Sequence, residues 1–132
     1  MPDSSAWIEH LRATGSSLDL AVSRLLDEHD RIAVTEIIVM EVLAGIRNEV
    51  ALARTRRQLL GFPLLKLHGL DGFERAAAVY RSCRRAGETV RHLSDCLIAV
   101  PVIDAGAQLL HADRDFDAIA RHTDLRIASL DA

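Results

Sequence analysis

Lysine and aromatic side chains are the two conspicuous shortages of this chain. Phe, Trp and Tyr together make up 4% of the 132 residues, so Leu, Ile, Val and Ala must fill the core. Lys66 is the single lysine among 16 basic residues, which leaves positive charge to arginine, the better bidentate ligand for phosphate. The two cysteines, Cys83 and Cys96, lack zinc-ligand spacing, and two thiols without a secretory signal point to core packing in a reducing cytosol. No apolar run approaches the roughly 20 residues that span a bilayer, and charge and proline meet the N-terminus at once. Neither a membrane helix nor a signal peptide is expected, and the reading is a cytoplasmic protein with no membrane partner. Repeats, linkers and low-complexity tracts are missing too, and the length suits one domain over residues 1–132.

Short apolar stretches alternate with helical patterns. Residues 32–34, 62–67, 109–111 and 125–129 read as strands, mainly apolar rather than alternating. Between them, Trp7, Ile8 and Leu11 mark one face of a first helix, and residues 18–26 form a second that ends in the charged run DEHDR. Thr35 resembles the N-cap of a third, EIIVMEVLAGIRN, which is apolar on nearly all sides and so expected at the centre of the fold. An Arg-rich helix covers 49–60. Asp71 is expected to cap a long helix through Arg85, with Phe73, Ala77, Tyr80 and Cys83 inward and Gly87 closing it. Ser94 reads as the N-cap of a further helix that Gly106 ends and Pro101 should kink or shorten, and 115–122 is a last short helix. This order predicts an α/β fold, a three-layer α/β/α sandwich around a mostly parallel sheet.

Against that apolar frame the acidic residues stand out. The run 108–117, QLLHADRDFD, is a strand that empties into Asp113, Asp115 and Asp117. Glu41 has Ile37, Ile38, Val39, Met40, Val42 and Leu43 around it, and a buried carboxylate must protonate, pair or meet a cation. The plain alternative is a salt bridge to an arginine such as Arg47. Asp95 opens DCLIAV, where the helix dipole alone would favour an acid, and Asp3 with Ser4 and Ser5 stands where a chain enters a helix. Of the three aspartates after the strand, Asp113 is the first candidate for a pocket and Asp115 the second, while Asp117 is expected in solvent.

Sites in open parallel sheets form at the carboxyl ends of strands, where Asp113 would lie. Four carboxylates about 5 Å apart would repel by roughly 3 kcal/mol per pair at an effective dielectric near 20. Only bound cations make such a cluster tolerable. Oxygen ligands without His or Cys at ligand spacing select Mg²⁺, or Mn²⁺, over zinc, and such an ion activates water and offsets charge on a phosphoryl oxygen. Ser5 is placed to hydrogen-bond a carboxylate or to cap the helix. The six histidines, His10, His29, His68, His92, His111 and His122, are read as surface or packing residues, with His111 the one to test for its nearness to the proposed site. A net charge of −3 argues against a polyanionic partner only if the acids are evenly spread. The arginines Arg81, Arg84, Arg85 and Arg91 are candidates for meeting a phosphate group, beside the plain reading of a solvated face.

DSSAWIEHLR, TEIIVMEVLAGIR, the R-x-x-G-x-T-V-R stretch at 84–91 leading to DCLIA, and LLHADRDFDAIA together resemble the PIN-domain ribonucleases, specifically the VapC-type toxins of bacterial type II toxin–antitoxin pairs. The resemblance covers nearly the whole chain. It implies that the family's acidic quartet falls on Asp3, Glu41, Asp95 and Asp113, with Asp115 as an acidic neighbour. It further implies Mg²⁺-dependent endoribonuclease activity on RNA, transfer and ribosomal RNA both being targets of relatives, a homodimer, and a small VapB-type antitoxin as partner. The family places a few apolar residues of a first central strand before the first aspartate; here only Met1 and Pro2 precede Asp3, so that strand is expected to be truncated. A catalytically impaired binding module, acting through dimerisation and antitoxin binding, is the competing function. A haloacid-dehalogenase-type phosphatase wants an Asp where Ser5 stands, and a receiver domain wants a mid-chain Asp that is missing between Asp30 and Asp71.

Overall fold

The computed structural model describes residues 1–28 and 32–130, in the order α1 (Ser4–Leu11), α2 (Ser17–Asp27), β1 (Val34–Thr35), α3 (Glu36–Ala44), α4 (Glu49–Leu60), β2 (Leu64–Leu65), α5 (Gly69–Arg85), α6 (Leu93–Ala105), β3 (Gln108–Leu109), α7 (Arg114–His122) and β4 (Arg126–Ile127). His29 and the end of the charged run after α2 lie outside the described residues.

The described strands pair in parallel, β1 with β2 and β3 with β4, and Pro2 forms a parallel bridge to Leu110. What precedes Asp3 is thus tied to the sheet by single bonds on both sides of Pro2. The Leu110 amide donates to the Met1 carbonyl at 2.9 Å, and the Asp3 amide to the Leu110 carbonyl at 3.0 Å. Regular pairing is shorter than the apolar runs suggested. Pro63 carries no amide hydrogen and opens its ladder only as an acceptor, from Val34 at 3.0 Å.

Helices α1 to α4 pack in one group and α5 to α7 in another, joined where α3 meets α6, which with the parallel strands makes the α/β/α arrangement. Leu, Ile, Val and Ala do fill the core, with Trp7 and Phe116 as its largest members. Both cysteines are buried and unpaired, and burial pushes the Cys96 thiol up to about 12.

Expectations for three helices are corrected. Helix α3 is not enclosed: Ile38 and Val42 are buried, but Met40 is 58% exposed, so its apolar surface faces outward as well as inward. In α5 Cys83 is buried and Tyr80 packs on the core as expected, but in the first turns Gly72 and Ala76 face inward and Phe73 and Ala77 are exposed. The reason is Gly72, whose missing side chain lets the helix approach so closely that a Cβ there would stand 2.0 Å from the Leu67 carbonyl oxygen. Asp71 lies in the first turn, and the cap position belongs to His68, in the left-handed region at φ 60°. Finally, α6 continues through the buried Pro101 to Ala105, and its N-cap is His92, which leaves Ser94 inside the first turn. Where Thr35 was expected to cap α3 it does, accepting the Ile38 amide at 3.3 Å.

Candidate functional site

Four elements deliver the acidic residues to one place. Asp3 is the N-cap of α1: its Oδ1 accepts the Ala6 amide at 2.9 Å and the Ser5 hydroxyl at 2.7 Å. The neighbouring Ser4 hydroxyl reaches 37 residues along the chain to Glu41 Oε1 at 2.6 Å. Glu41 is therefore half-buried and hydrogen-bonded to a serine, rather than buried or paired with Arg47. Asp95 sits in the first turn of α6, and Asp113 is the N-cap of α7, accepting the Asp115 amide at 2.9 Å.

Asp3, Ser4, Ser5, Glu41, His92, Asp95 and Asp113 line an open cleft of about 210 Å³. Asp115 stands behind it as a tether. Its Oδ2 accepts the backbone amides of Arg91 at 3.1 Å and His92 at 3.2 Å, so the loop before α6 is held to the start of α7. The same loop is clamped further back, where Glu88 pairs with Arg121 and His122 at the end of α7; the Arg121 bond, first, and the His122 bond lower the Glu88 carboxyl to about 2.

The Arg91 guanidinium bridges Asp113 at 3.1 Å and Asp115 at 3.4 Å, and their hydrogen bonds raise its pKa. Arg81, Arg84 and Arg85 are exposed near the end of α5, with Arg84 over the Tyr80 ring at 5.6 Å; none of the three lines the cleft. Beneath the site, the buried His111 accepts the Asp113 amide on Nδ1 at 2.9 Å, which leaves its proton on Nε2. Nε2 lies 3.4 Å from Asp117 Oδ1 without the alignment of a hydrogen bond, and Asp117 itself is exposed.

Electrostatics separate the acids. Burial, only partly offset by the Ala6 amide and the Ser5 hydroxyl, raises the pKa of Asp3. Burial pulls Asp115 upward too, but the Arg91 and His92 amides, proton sharing with Asp95 and the Arg91 guanidinium outweigh it and hold the carboxyl below its ordinary range. Asp95 goes the other way, pushed up to about 8 by burial, then by sharing a proton with Asp115 and by the charges of Asp113, Asp115 and Glu41.

The arrangement fits a divalent cation. Among the described residues no hydrogen-bond donor reaches the buried Asp95 Oδ2. His92, Asp95, Asp113 and Asp115 each offer one ligand atom, all within 4.8 Å of one another. Asp3 and Glu41 face the same cleft outside that tightest group. A mostly carboxylate donor set matches hard divalent ions.

Two contributors went unseen in the sequence. Ser4 contacts Glu41 across 37 residues, and no local pattern carries that pairing. His92 had a usable signal, since it precedes Asp95 by three positions at a helix start, which puts both side chains on one face. Replacement of Ser4 by Ala is expected to cost about 1 kcal/mol of stability in denaturant melts, the ordinary worth of one such bond, while freeing the Glu41 carboxylate to move. An unchanged melt together with unchanged cation affinity would show that the bond does nothing for the site.

Comparison with known proteins agrees with the geometry. The PIN domain family matches residues 1–122. The chain is 48% identical over 128 residues, 96% of each protein, to the VapC ribonuclease Mb1587 of Mycobacterium bovis and to ribonuclease VapC11 of Mycobacterium tuberculosis. No described helix is long and apolar enough to cross a membrane. With parallel strands between helical groups, an acidic cleft drawn from four elements and this likeness over nearly its full length, the chain belongs to the PIN-domain family and is of the VapC type.

Proposed function

We propose that this protein is a Mg²⁺-dependent endoribonuclease, the cytoplasmic toxin of a type II toxin–antitoxin pair, built as one domain and cleaving structured RNA of the transfer or ribosomal kind. The observation that carries the proposal is the convergence of chain-distant carboxylates in one cleft, one of them with an unpartnered buried oxygen. Relatives named as ribonucleases support RNA as the substrate.

In this reading Asp3, Glu41, Asp95 and Asp113 hold Mg²⁺, or Mn²⁺, with Asp115 adjoining. When bound, such an ion lowers the pKa of a water and offsets charge on a phosphoryl oxygen. The chain's own groups do the rest. Ser5 and the Ala6 amide orient the Asp3 carboxylate, Ser4 orients Glu41, and His111 holds the Asp113 backbone. Arg91 is positioned at the rim to meet a backbone phosphate, and Arg81, Arg84 and Arg85 extend positive charge along α5.

The test is incubation of purified protein with a pool of small and ribosomal RNA in Mg²⁺, beside EDTA and an Asp95→Ala control. Discrete fragments that vanish in both controls are expected. Their absence, with no Mg²⁺ heat in calorimetry, would overturn the nuclease reading.

A second reading has its own observation. An apolar cleft of about 280 Å³ between α1, α3 and α4, lined by Ile8, Leu11, Val42 and Ile46, suits a VapB-type antitoxin segment or a homodimer partner. A chain serving only as such a binding module would not need cation affinity, and calorimetry separates the two.

A further inference from the structure

We propose that His92 is a nitrogen ligand of the cation in this site, and that it turns the preference of the site from Mg²⁺ toward Mn²⁺. The proposal rests on the cation reading given above and adds a residue and a selectivity to it. His92 occupies the N-cap of α6, where a short polar side chain usually bonds the helix amides, yet its ring makes no capping bond. Its side chain is 63% exposed, so packing does not explain where the ring lies either.

What places it is the backbone. The His92 amide donates to Asp115 Oδ2, and the imidazole Nδ1 then stands 3.5 Å from that oxygen and 3.9 Å from Asp95 Oδ2, the buried oxygen that no donor satisfies. Two ligands of one ion, each about 2.1 Å from it, stand about 3 Å apart when adjacent and about 4.2 Å apart when opposite. The observed separations lie inside that span. An imidazole nitrogen favours transition ions, whereas Mg²⁺ prefers oxygen and keeps its water. One nitrogen among the carboxylates therefore favours Mn²⁺ over Mg²⁺.

The experiment uses Mn²⁺ itself as probe. Binding to the purified protein is followed by loss of the free-ion paramagnetic resonance signal, and pulsed resonance reports whether nitrogen couples to the bound ion. Native protein is expected to show imidazole nitrogen coupling that disappears in His92→Ala, with Mn²⁺ affinity at least about tenfold lower and Mg²⁺ affinity, read by competition, lowered less. Mn²⁺ bound without nitrogen coupling, or coupling that survives in His92→Ala, would overturn the proposal. Failure of native protein to bind Mn²⁺ at all is a distinct result, and it would overturn the cation reading beneath it as well.

Discussion

Replacement of Asp95 by Asn is expected to lower RNA cleavage by about 10³-fold and to weaken the dependence of stability on pH near neutrality. The first effect follows from removing one charge from the acidic group while keeping its shape. The second follows from the environment of the carboxyl, whose pKa is pushed up to about 8 by burial, proton sharing with Asp115 and neighbouring negative charge. In the unfolded chain the same group titrates near about 3.9. Between those values the folded protein holds a proton that the unfolded chain has released. Without divalent cation, stability is thus fully present below about pH 4 and is lost as pH rises through about 8. Asp115, held below its ordinary range, acts in the opposite sense and only in more acid solution. Thermal melts in chelator at pH 5, 6.5 and 8 should fall steadily for the native protein and fall less steeply for Asp95→Asn, where the raised Asp3 carboxyl remains. Parallel slopes in the two proteins would disprove the assigned burial effect.

Trp7→Ala carries the largest expected cost in stability, about 3–5 kcal/mol. The side chain is wholly buried, packs on the Phe62 ring at 5.7 Å and meets the His10 ring edge-on at 6.3 Å. With aromatics so scarce, no neighbour of comparable size can refill the space. A protein of this size should lose roughly 10–20 °C in Tm. Because Trp7 follows Asp3 and Ser4 on the same short helix, cation affinity should fall as well. The indole Nε1 is buried without an acceptor, so Trp7→Phe removes an unsatisfied donor along with volume and should cost less than half as much. Equal losses in the two variants would mean that the unpaired indole nitrogen carries no penalty.

Much of this arrangement was legible before any coordinates, and what was missed has a common cause. Asp3, Glu41, Asp95 and Asp113 announce themselves as acids in apolar surroundings, and the structure brings all four to one cleft. Helix α4 is read to its ends because Asn48 and Gly61 flank it with ordinary caps. The second half of α5 follows its periodicity through Tyr80 and Cys83, whereas its first turns are turned by one residue because the decisive contact is made by Gly72 through an absent side chain, and periodicity weighs side chains that are present. The exposure of α3 was missed for a related reason: an apolar helix can face a core or a partner, and hydropathy does not tell them apart. Ser4 and Asp115 act through bonds that span 37 and 24 residues, which no local pattern encodes.

The bridge between Pro2 and Leu110 has a meaning for synthesis as well as for geometry. The Asp3 amide donates a hydrogen bond to the Leu110 carbonyl, and the last acidic residues of the site, Asp113 and Asp115, follow that strand. Closing a loop of that length is entropically costly until the strand that receives it exists. A chain still emerging from the ribosome therefore has its first aspartate in solvent and its last ligands not yet made. The order of the chain keeps the acidic site unassembled until Asp113 and Asp115 have left the ribosome.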